Sequence, residues 1–302
     1  MTADFSIRPA HPDDAAASAA LRAVVHPYLV RGEASTRRTF ADPPPGGDRI
    51  YLLAESNGGI IGQASAFRDT RSSDAGFGRI ALHVHPQHRG RGVGTALLTE
   101  ATTHLRSIGV CRASCWARPE SAGFARAHGF EPSREMRFSG LDLTGFGDRP
   151  FVPAPPGIQV VRLREVTEEA LYAADVAAAT DEPGEAPPQP TPYPLWRYEI
   201  WDEPGLDRDT SIAAVADGVI VSFSLVLRDG DRMWSDMTAT VPEHRGRGLA
   251  RLVKYAALRR AAASGVRTAY TSNAEENKPM LAVNDRLGYR TVATQVSCVA
   301  QL

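Results

Sequence analysis

The chain of 302 residues is long for one hydrophobic core and suits two domains of about 150 residues each. With 43% hydrophobic and 23% charged residues and a formal net charge of −1, it reads as an ordinary globular chain. That balance gives no electrostatic reason to expect nucleic acid or an anionic membrane as partner. The three cysteines, Cys111, Cys115 and Cys298, lack a second Cys/His pair at ligand spacing, so no metal is expected and they read as reduced thiols. No apolar stretch approaches the ~20 residues of a membrane span, and the opening residues show neither a basic nor an apolar secretion segment. A cytoplasmic protein is the expectation.

Along the first half, Asp4 to Arg8 alternates as an opening strand and is followed by an alanine-rich helix near Asp13 to Val25. Arg49 to Ser56 and Ile60 to Phe67 read as a β-hairpin turning at Gly58 and Gly59. A strand at Arg79 to Val84 leads into the stretch HPQHRGRGVG, a helix over Val93 to Gly109, a strand over Val110 to Ala117 and a short helix ending in His128-Gly129-Phe130. Prolines and glycines then cluster between Phe146 and Gly157. The second half repeats the order. A strand (Gly157 to Leu163) and a helix (Thr167 to Ala179) precede a hairpin over Ser211 to Leu227 that turns at Asp217-Gly218. Met233 to Val241 leads into VPEHRGRGLA, a helix (Leu249 to Gly265), a strand (Arg267 to Asn273) and a short helix ending in Leu287-Gly288-Tyr289. Between Asp181 and Gly205 lies a long, proline-rich irregular region whose aromatic residues suit either a lid over the acceptor or interdomain packing. Two repeats are expected, 1–148 and 157–302, joined by a linker at 149–156.

The arginine-glycine stretch occurs twice, with Arg89 and Arg245 separated by 156 positions. Each copy stands between a strand and a helix. Glycines there permit a tight turn and close backbone approach, and free N–H groups at the helix start make an anion site suited to a pyrophosphate. The arginines can add charge-assisted contacts.

Arg89-Gly90-Arg91-Gly92-Val93-Gly94 and Arg245-Gly246-Arg247-Gly248-Leu249-Ala250 both match the Q/R-x-x-G-x-G/A signature. With the order of elements, this resembles the GCN5-related N-acetyltransferases (GNATs), twice over. The arrangement is similar to that of actinobacterial mycothiol synthase. The resemblance implies an α/β (α+β, mixed-sheet) GNAT fold in two tandem copies. It also implies acetyl-CoA as co-substrate, with its pyrophosphate on the signature amides and its pantetheine arm between two splayed strands, flanked by Val84 in one half and by Thr240 and Val241 in the other. A bulge in the strand before the signature would free an N–H to polarise the thioester carbonyl. In the second half Asn277 falls on the asparagine that holds the pantetheine arm. Asn284 falls where many members place the tyrosine that protonates the leaving thiolate, and asparagine cannot serve as that acid. In the first half Arg118 and Ala125 occupy the corresponding places, so that half reads as eroded for chemistry with its phosphate loop intact.

Asp236, nine residues before Arg245, is the candidate general base, and simple alternation would put it on one face with Thr238 and Thr240. Ile80 stands at its place in the first half, where His83 and His85 are weaker candidates. Lys254 reads as a solvated helix residue or as a contact to the adenosine 3′-phosphate. The leading expectation is direct acetyl transfer to the primary amine of a small molecule such as an amino sugar, an amino-acid-like amine or an antibiotic-type acceptor. A mycothiol synthase-type reaction, a non-catalytic acyl-CoA-binding module and a tRNA-dependent transferase are the alternatives. The chain is expected to be a monomer or a homodimer.

Overall fold

The computed structural model describes residues 4–178 and 190–302. It divides into two compact units, one of Met1–Met136 with Thr294–Leu302 and one of Arg137–Ala293. In the first unit the elements run β1 (Ser6–Pro9), α1 (Ala15–Val25), α2 (Glu33–Ala41), β2 (Ile50–Ser56), β3 (Gly59–Arg68), β4 (Phe77–Val84), α3 (Val93–Ser107), β5 (Arg112–Ala117) and α4 (Ala122–Ala127). Strands β1 to β4 pair antiparallel in sequence order, and β5 joins β4 in parallel because α3 carries the chain back across the sheet. The second unit repeats the plan with β7 (Gln159–Arg162), α5 (Glu168–Ala178), α6 (Tyr193–Trp196), β8 (Ile212–Ala216), β9 (Val219–Asp229), β10 (Arg232–Thr240), α7 (Leu249–Ala263), β11 (Thr268–Ala274) and α8 (Lys278–Leu287).

Turn chemistry explains both hairpins, with one correction. In the second unit Asp217 (φ 48°) and Gly218 (φ 81°) both take the left-handed conformation that a two-residue turn requires, as the sequence suggests. In the first the turn is Asn57 (φ 49°) and Gly58 (φ 75°), and Gly59 already opens β3. Asparagine tolerates the left-handed region, so the Asn-Gly pair outcompetes Gly-Gly for the turn.

Two further strands close the units, and neither stands out in the sequence as a strand. β6 (Glu131–Asp142) and β12 (Arg290–Gln301) each cross the boundary between units. The end of β6 lies in the second unit, beside β11. The end of β12 lies in the first unit, antiparallel to β5 from Val296↔Ala117 to Gln301↔Arg112. There Cys298 and Ala300 are buried in one cluster with Leu105, Ala113 and Phe130. The last strand of each repeat thus completes the sheet built by the other.

The proline-rich connection packs within the second unit. Phe146 is wholly buried in its core, Tyr255 Oη donates to the Pro150 carbonyl at 2.7 Å, and Arg259 Nε donates to the Arg149 carbonyl at 2.6 Å. The region read as irregular over 181–205 lies partly outside the described residues. Its described part forms α6 and a π turn over Arg197–Trp201. Trp196 from this segment is buried with Leu171, Phe223 and Leu225.

Removing Thr294–Leu302 is expected to unfold the edge of the first unit, although those residues close the second repeat in sequence. Hydrogen exchange should show β5 losing protection while β8 and β9 keep theirs. The reverse pattern would contradict the exchange.

Candidate functional site

Both phosphate-loop candidates have the same backbone. Gly90 and Gly92 sit at φ 72° and 84°, Gly246 and Gly248 at 74° and 77°, all left-handed. A Cβ added at any of the four would meet no atom within 4 Å, so conformation rather than crowding demands glycine, and the space above each loop is open. Gly92 and Gly248 are the N-caps of α3 and α7. The helical ladders begin with Ala96 N–H to Gly92 O (3.0 Å) and Leu252 N–H to Gly248 O (3.1 Å) and supply no acceptor to the N–H groups before them. The positive ends of two fifteen-residue helices therefore face these loops.

The first arginine of each signature braces its loop. Arg89 Nε donates to Val84 O at 3.3 Å, and Arg245 Nε makes the matching bond to Thr240 O at 3.1 Å. Arg245 also reaches the Ala178 carbonyl at the end of α5, at 3.3 Å. Arg247 pairs instead with His244 Nδ1 at 2.9 Å.

What lies before the loop separates the two units. In the second, β10 and β11 pair in parallel only from Arg232↔Thr268 to Trp234↔Tyr270. At the next position the Thr271 hydroxyl donates to the Ser235 carbonyl at 3.0 Å, and beyond it β10 is paired along one edge, to β9. Ser235 faces Val226 and Thr238 faces Ser224, which leaves both Asp236 and Met237 opposite Leu225. This bulge changes the parity of the strand. Met233 packs in the core under α7, whereas Met237 and Ala239 pack with Leu225 and Trp196 on the opposite face. Thr238 and Thr240 bond the Ser224 and Ser222 hydroxyls across the strands, each at 2.9 Å. Simple alternation therefore fails here: the bulge puts Asp236 with Met237 and separates it from Thr238 and Thr240. The Asp236 residue is exposed.

Three other sequence-derived residues lie on the helices before and after β11, Lys254 on α7 and Asn277 and Asn284 at the start of and within α8. Asn277 Oδ1 accepts from Met280 N–H at 3.2 Å and caps α8, so its amide NH2 is the group left to meet a ligand. Asn284 is buried and its amide donates to Asn273 Oδ1 at 2.6 Å. Lys254 is the clear departure. It is 1% exposed on the inner face of α7, so it is neither a solvated residue nor placed for the adenosine 3′-phosphate. Sequence reasoning also missed Asn273, Ser222 and Ser224, whose small polar side chains carry no spacing signal.

In the first unit β3 and β4 pair without a shift from Gly62↔Val84 to Arg68↔Gly78, so β4 has no bulge. Pairing with β5 stops at Ile80↔Cys115. Arg118 donates to the Val25 carbonyl (3.0 Å) and pairs with Glu120 (2.8 Å), and Ala125 is buried. Beside them His26 Nε2 meets His83 Nδ1 at 3.1 Å, and Tyr28 Oη meets His26 Nδ1 at 3.1 Å and Gln295 Nε2 at 2.9 Å. Burial, with Arg118 and Arg89 nearby, pushes the His26 imidazolium down to about 4. His83 falls to about 3, again mainly through burial and then through His26. Both rings are neutral at pH 7 and hydrogen-bonded within the protein.

Two family models match the chain, an acetyltransferase (GNAT) domain over residues 47–132 and the acetyltransferase (GNAT) family over residues 175–289. Among curated relatives, a mycothiol acetyltransferase of Streptomyces bingchenggensis is 30% identical, covering 82% of this chain and 79% of its own. A mycothiol acetyltransferase of Nocardiopsis dassonvillei is 29% identical over 84% of this chain and 82% of its own. Among solved structures, a tandem GNAT protein from the clavulanic acid biosynthesis pathway superposes with a TM-score of 0.74 at 22% identity, covering 98% of both chains. A GCN5-related N-acetyltransferase from Sphaerobacter thermophilus gives 0.72 at 20% identity, covering 99% of this chain and 96% of its own. These two likenesses bear on the fold.

The histidine pair makes the first unit acid-sensitive. Protonation of His26 favours the unfolded chain, so its contribution is present above about pH 6.5 and is lost as pH falls toward 4. Between pH 6.5 and 4.5 the first unit should lose about 2 kcal/mol from His26. Urea unfolding at both pH values checks this, and equal losses in wild type and His26→Gln would contradict it.

Proposed function

Because the chain belongs to the GCN5-related N-acetyltransferase family, with two copies of its domain in tandem, we propose that its second unit transfers acetyl from acetyl-CoA directly to the primary amine of a small molecule. The observation that carries this reading is the conjunction on β10. The parallel ladder to β11 ends at Trp234, a bulge sits at Asp236 and Met237, and the strand ends at a loop of left-handed glycines opening α7. A strand edge that has left its neighbour's ladder suits an amide-bearing arm that can pair with it as a further strand would. The loop N–H groups from Gly246 to Ala250 and the α7 dipole would take the pyrophosphate, with Arg245 holding the loop in shape. The Asn277 amide would donate to the arm.

The bulge is the natural seat of the chemistry. An N–H withdrawn from the β9 ladder can bond the thioester oxygen more strongly as it becomes an oxyanion, which lowers the barrier selectively. Asp236 lies at the same bulge and would take the proton of the attacking amine, directly or through water. The nitrogen then adds to the carbonyl carbon, the oxyanion collapses, and the carbon–sulfur bond breaks with its electron pair passing to sulfur. No step requires a metal ion or an acyl-enzyme.

The first unit, on this reading, holds acetyl-CoA without turning it over. Its loop is intact, while β4 lacks a bulge and Ile80 stands at the carboxylate's place. For the acceptor, an amino sugar, an amino-acid-like amine or an antibiotic-type amine fits the chemistry. The mycothiol acetyltransferase relatives favour a mycothiol-type acceptor as the second reading.

Calorimetric titration of acetyl-CoA into wild type, Gly92→Asp and Gly248→Asp tests the assignment. Each aspartate would repel a pyrophosphate at its own loop. The expected result is loss of the second site with Gly248→Asp, together with loss of amine-dependent thiol release. Asp236→Asn should lower that release about 10²-fold with little change in acetyl-CoA affinity. No binding by the wild type would overturn the reading, and turnover surviving Gly248→Asp but not Gly92→Asp would reverse the roles of the units.

A further inference from the structure

Lys254 presents an unusual balance of charge. It is 1% exposed in the second turn of α7, with Nζ 5.1 Å from the centre of the Tyr289 ring. Among the described residues it has no carboxylate partner and no hydrogen bond. Burial alone brings its ammonium down to about 7. A buried cation without a partner is costly, and a ring face offsets only part of that cost.

The ring that it faces belongs to a set of residues with unsatisfied polar atoms. Among the described residues, Tyr289 Oη, Ser235 Oγ and Asn284 Oδ1 are buried side-chain atoms without a hydrogen-bond partner. Ser235 lies close enough to Tyr289 to oppose the upward push that burial gives its phenol, yet neither oxygen completes a bond. Their places in the fold are not scattered. Ser235 is the residue at which β10 leaves β11, one position before the bulge. Asn284 stands where the family's tyrosine would reach the sulfur, and its amide is turned to Asn273. Tyr289 follows at the end of the same helix, its N–H bonded to the Asn284 carbonyl at 3.1 Å. Through Tyr289, the buried Lys254 cation is thus linked to Ser235 and Asn284, near the point where the strands part. The proposed reaction generates one anion there, the CoA thiolate.

Resting on the acetyltransferase reading above, we propose that Lys254 donates the proton to the departing thiolate, in the role that Asn284 cannot fill. As the tetrahedral adduct collapses, the carbon–sulfur electron pair goes to sulfur, and sulfur takes a proton from the Lys254 ammonium. Lys254 is left as a neutral amine, a form its apolar surroundings favour. The proton removed from the attacking amine rests on Asp236 and passes to solvent, and solvent returns one to Lys254. The ring of Tyr289 steadies the ammonium between turnovers.

CoA itself is the probe, which makes the test independent of the acceptor. The full chain carrying Gly92→Asp, so that only the second loop binds, is compared with the same chain carrying Lys254→Met as well. Calorimetry first measures CoA binding. Ultraviolet absorbance of the thiolate is then followed against pH for bound CoA, with acetyl-CoA as the thiol-free blank. With Lys254 present, the bound thiol should titrate at least about tenfold more readily than free CoA, a shift of about one pH unit or more. With Lys254→Met that shift should vanish while CoA affinity stays within a few-fold, since methionine replaces a buried unpaired charge with an apolar chain of similar length. A bound thiol that titrates like free CoA with Lys254 intact overturns the proposal, whatever the variant does. An equal shift in both chains also overturns it and leaves the acetyltransferase reading standing. Absence of CoA binding with Lys254 present would overturn both, and the calorimetry separates that failure from the others.

Discussion

Beyond Trp234 and Tyr270 the parallel ladder between β10 and β11 ends, and past the Thr271 hydroxyl bond to Ser235 the β10 strand goes on in a ladder with β9 only. Backbone amides seldom remain unpaired inside a protein, so a strand that parts from its neighbour must either meet water or receive another extended chain. The rest of the second unit follows from that opening. The α7 dipole is aimed at the end of β10, the left-handed glycines turn the chain tightly enough to do so, and Arg245 ties the loop to Thr240. The bulge then sets which side chains face which layer. It turns Met237 and Ala239 toward the Trp196 core and leaves Thr238 and Thr240 to pair with serines of β9.

Comparison of the units shows which parts of this arrangement vary independently. The phosphate-loop candidates are alike to within 7° at the paired glycine φ angles and share the arginine brace. The strands that feed them differ, since β4 is regular and β10 is bulged. A loop depends on a few local residues, whereas the bulge depends on one inserted position against a whole ladder. Duplication can therefore preserve the loop while the strand that feeds it diverges. Beside β4 of the first unit lies a neutral network of His26, His83, Tyr28 and Gln295, hydrogen-bonded within the protein. Gln295 comes from the exchanged strand, so this network is complete only when the C-terminal residues are in place.

The repeated loops, the helices that follow them and the Asp217-Gly218 turn were legible because local backbone rules dictate them: left-handed glycine, helix start, two-residue turn. Asn277 was singled out by its place in a motif, and in the structure it caps α8. The strand exchange was not, because pattern alone cannot say which sheet an alternating segment such as Val296 to Gln301 will join. Alternation predicted the wrong companions for Asp236, since a bulge leaves no mark in the period of a nine-residue strand. Lys254 was misread for a different reason. A lysine in a helix is solvated by default, and its burial depends on the partnered face of α7 rather than on its own chemistry.

That burial bears on how the second unit divides stability and chemistry. On the α7 face, Val253, Ala257, Leu258 and Ala261 are wholly buried and supply a well-packed apolar layer. Lys254, Ser235, Asn284 and Tyr289 interrupt that layer at the parting of the strands, where apolar residues of similar size would pack without unmet hydrogen bonds. Neutral surroundings favour the amine form of Lys254, so the cost of its charge falls when a proton leaves, and rises again when the proton returns. A group poised between those states near neutrality is of little use to a core but well suited to following the appearance and loss of an anion. On the proposed role, the apolar layer around it would keep water from screening that exchange and so tie the packing of α7 to the reaction.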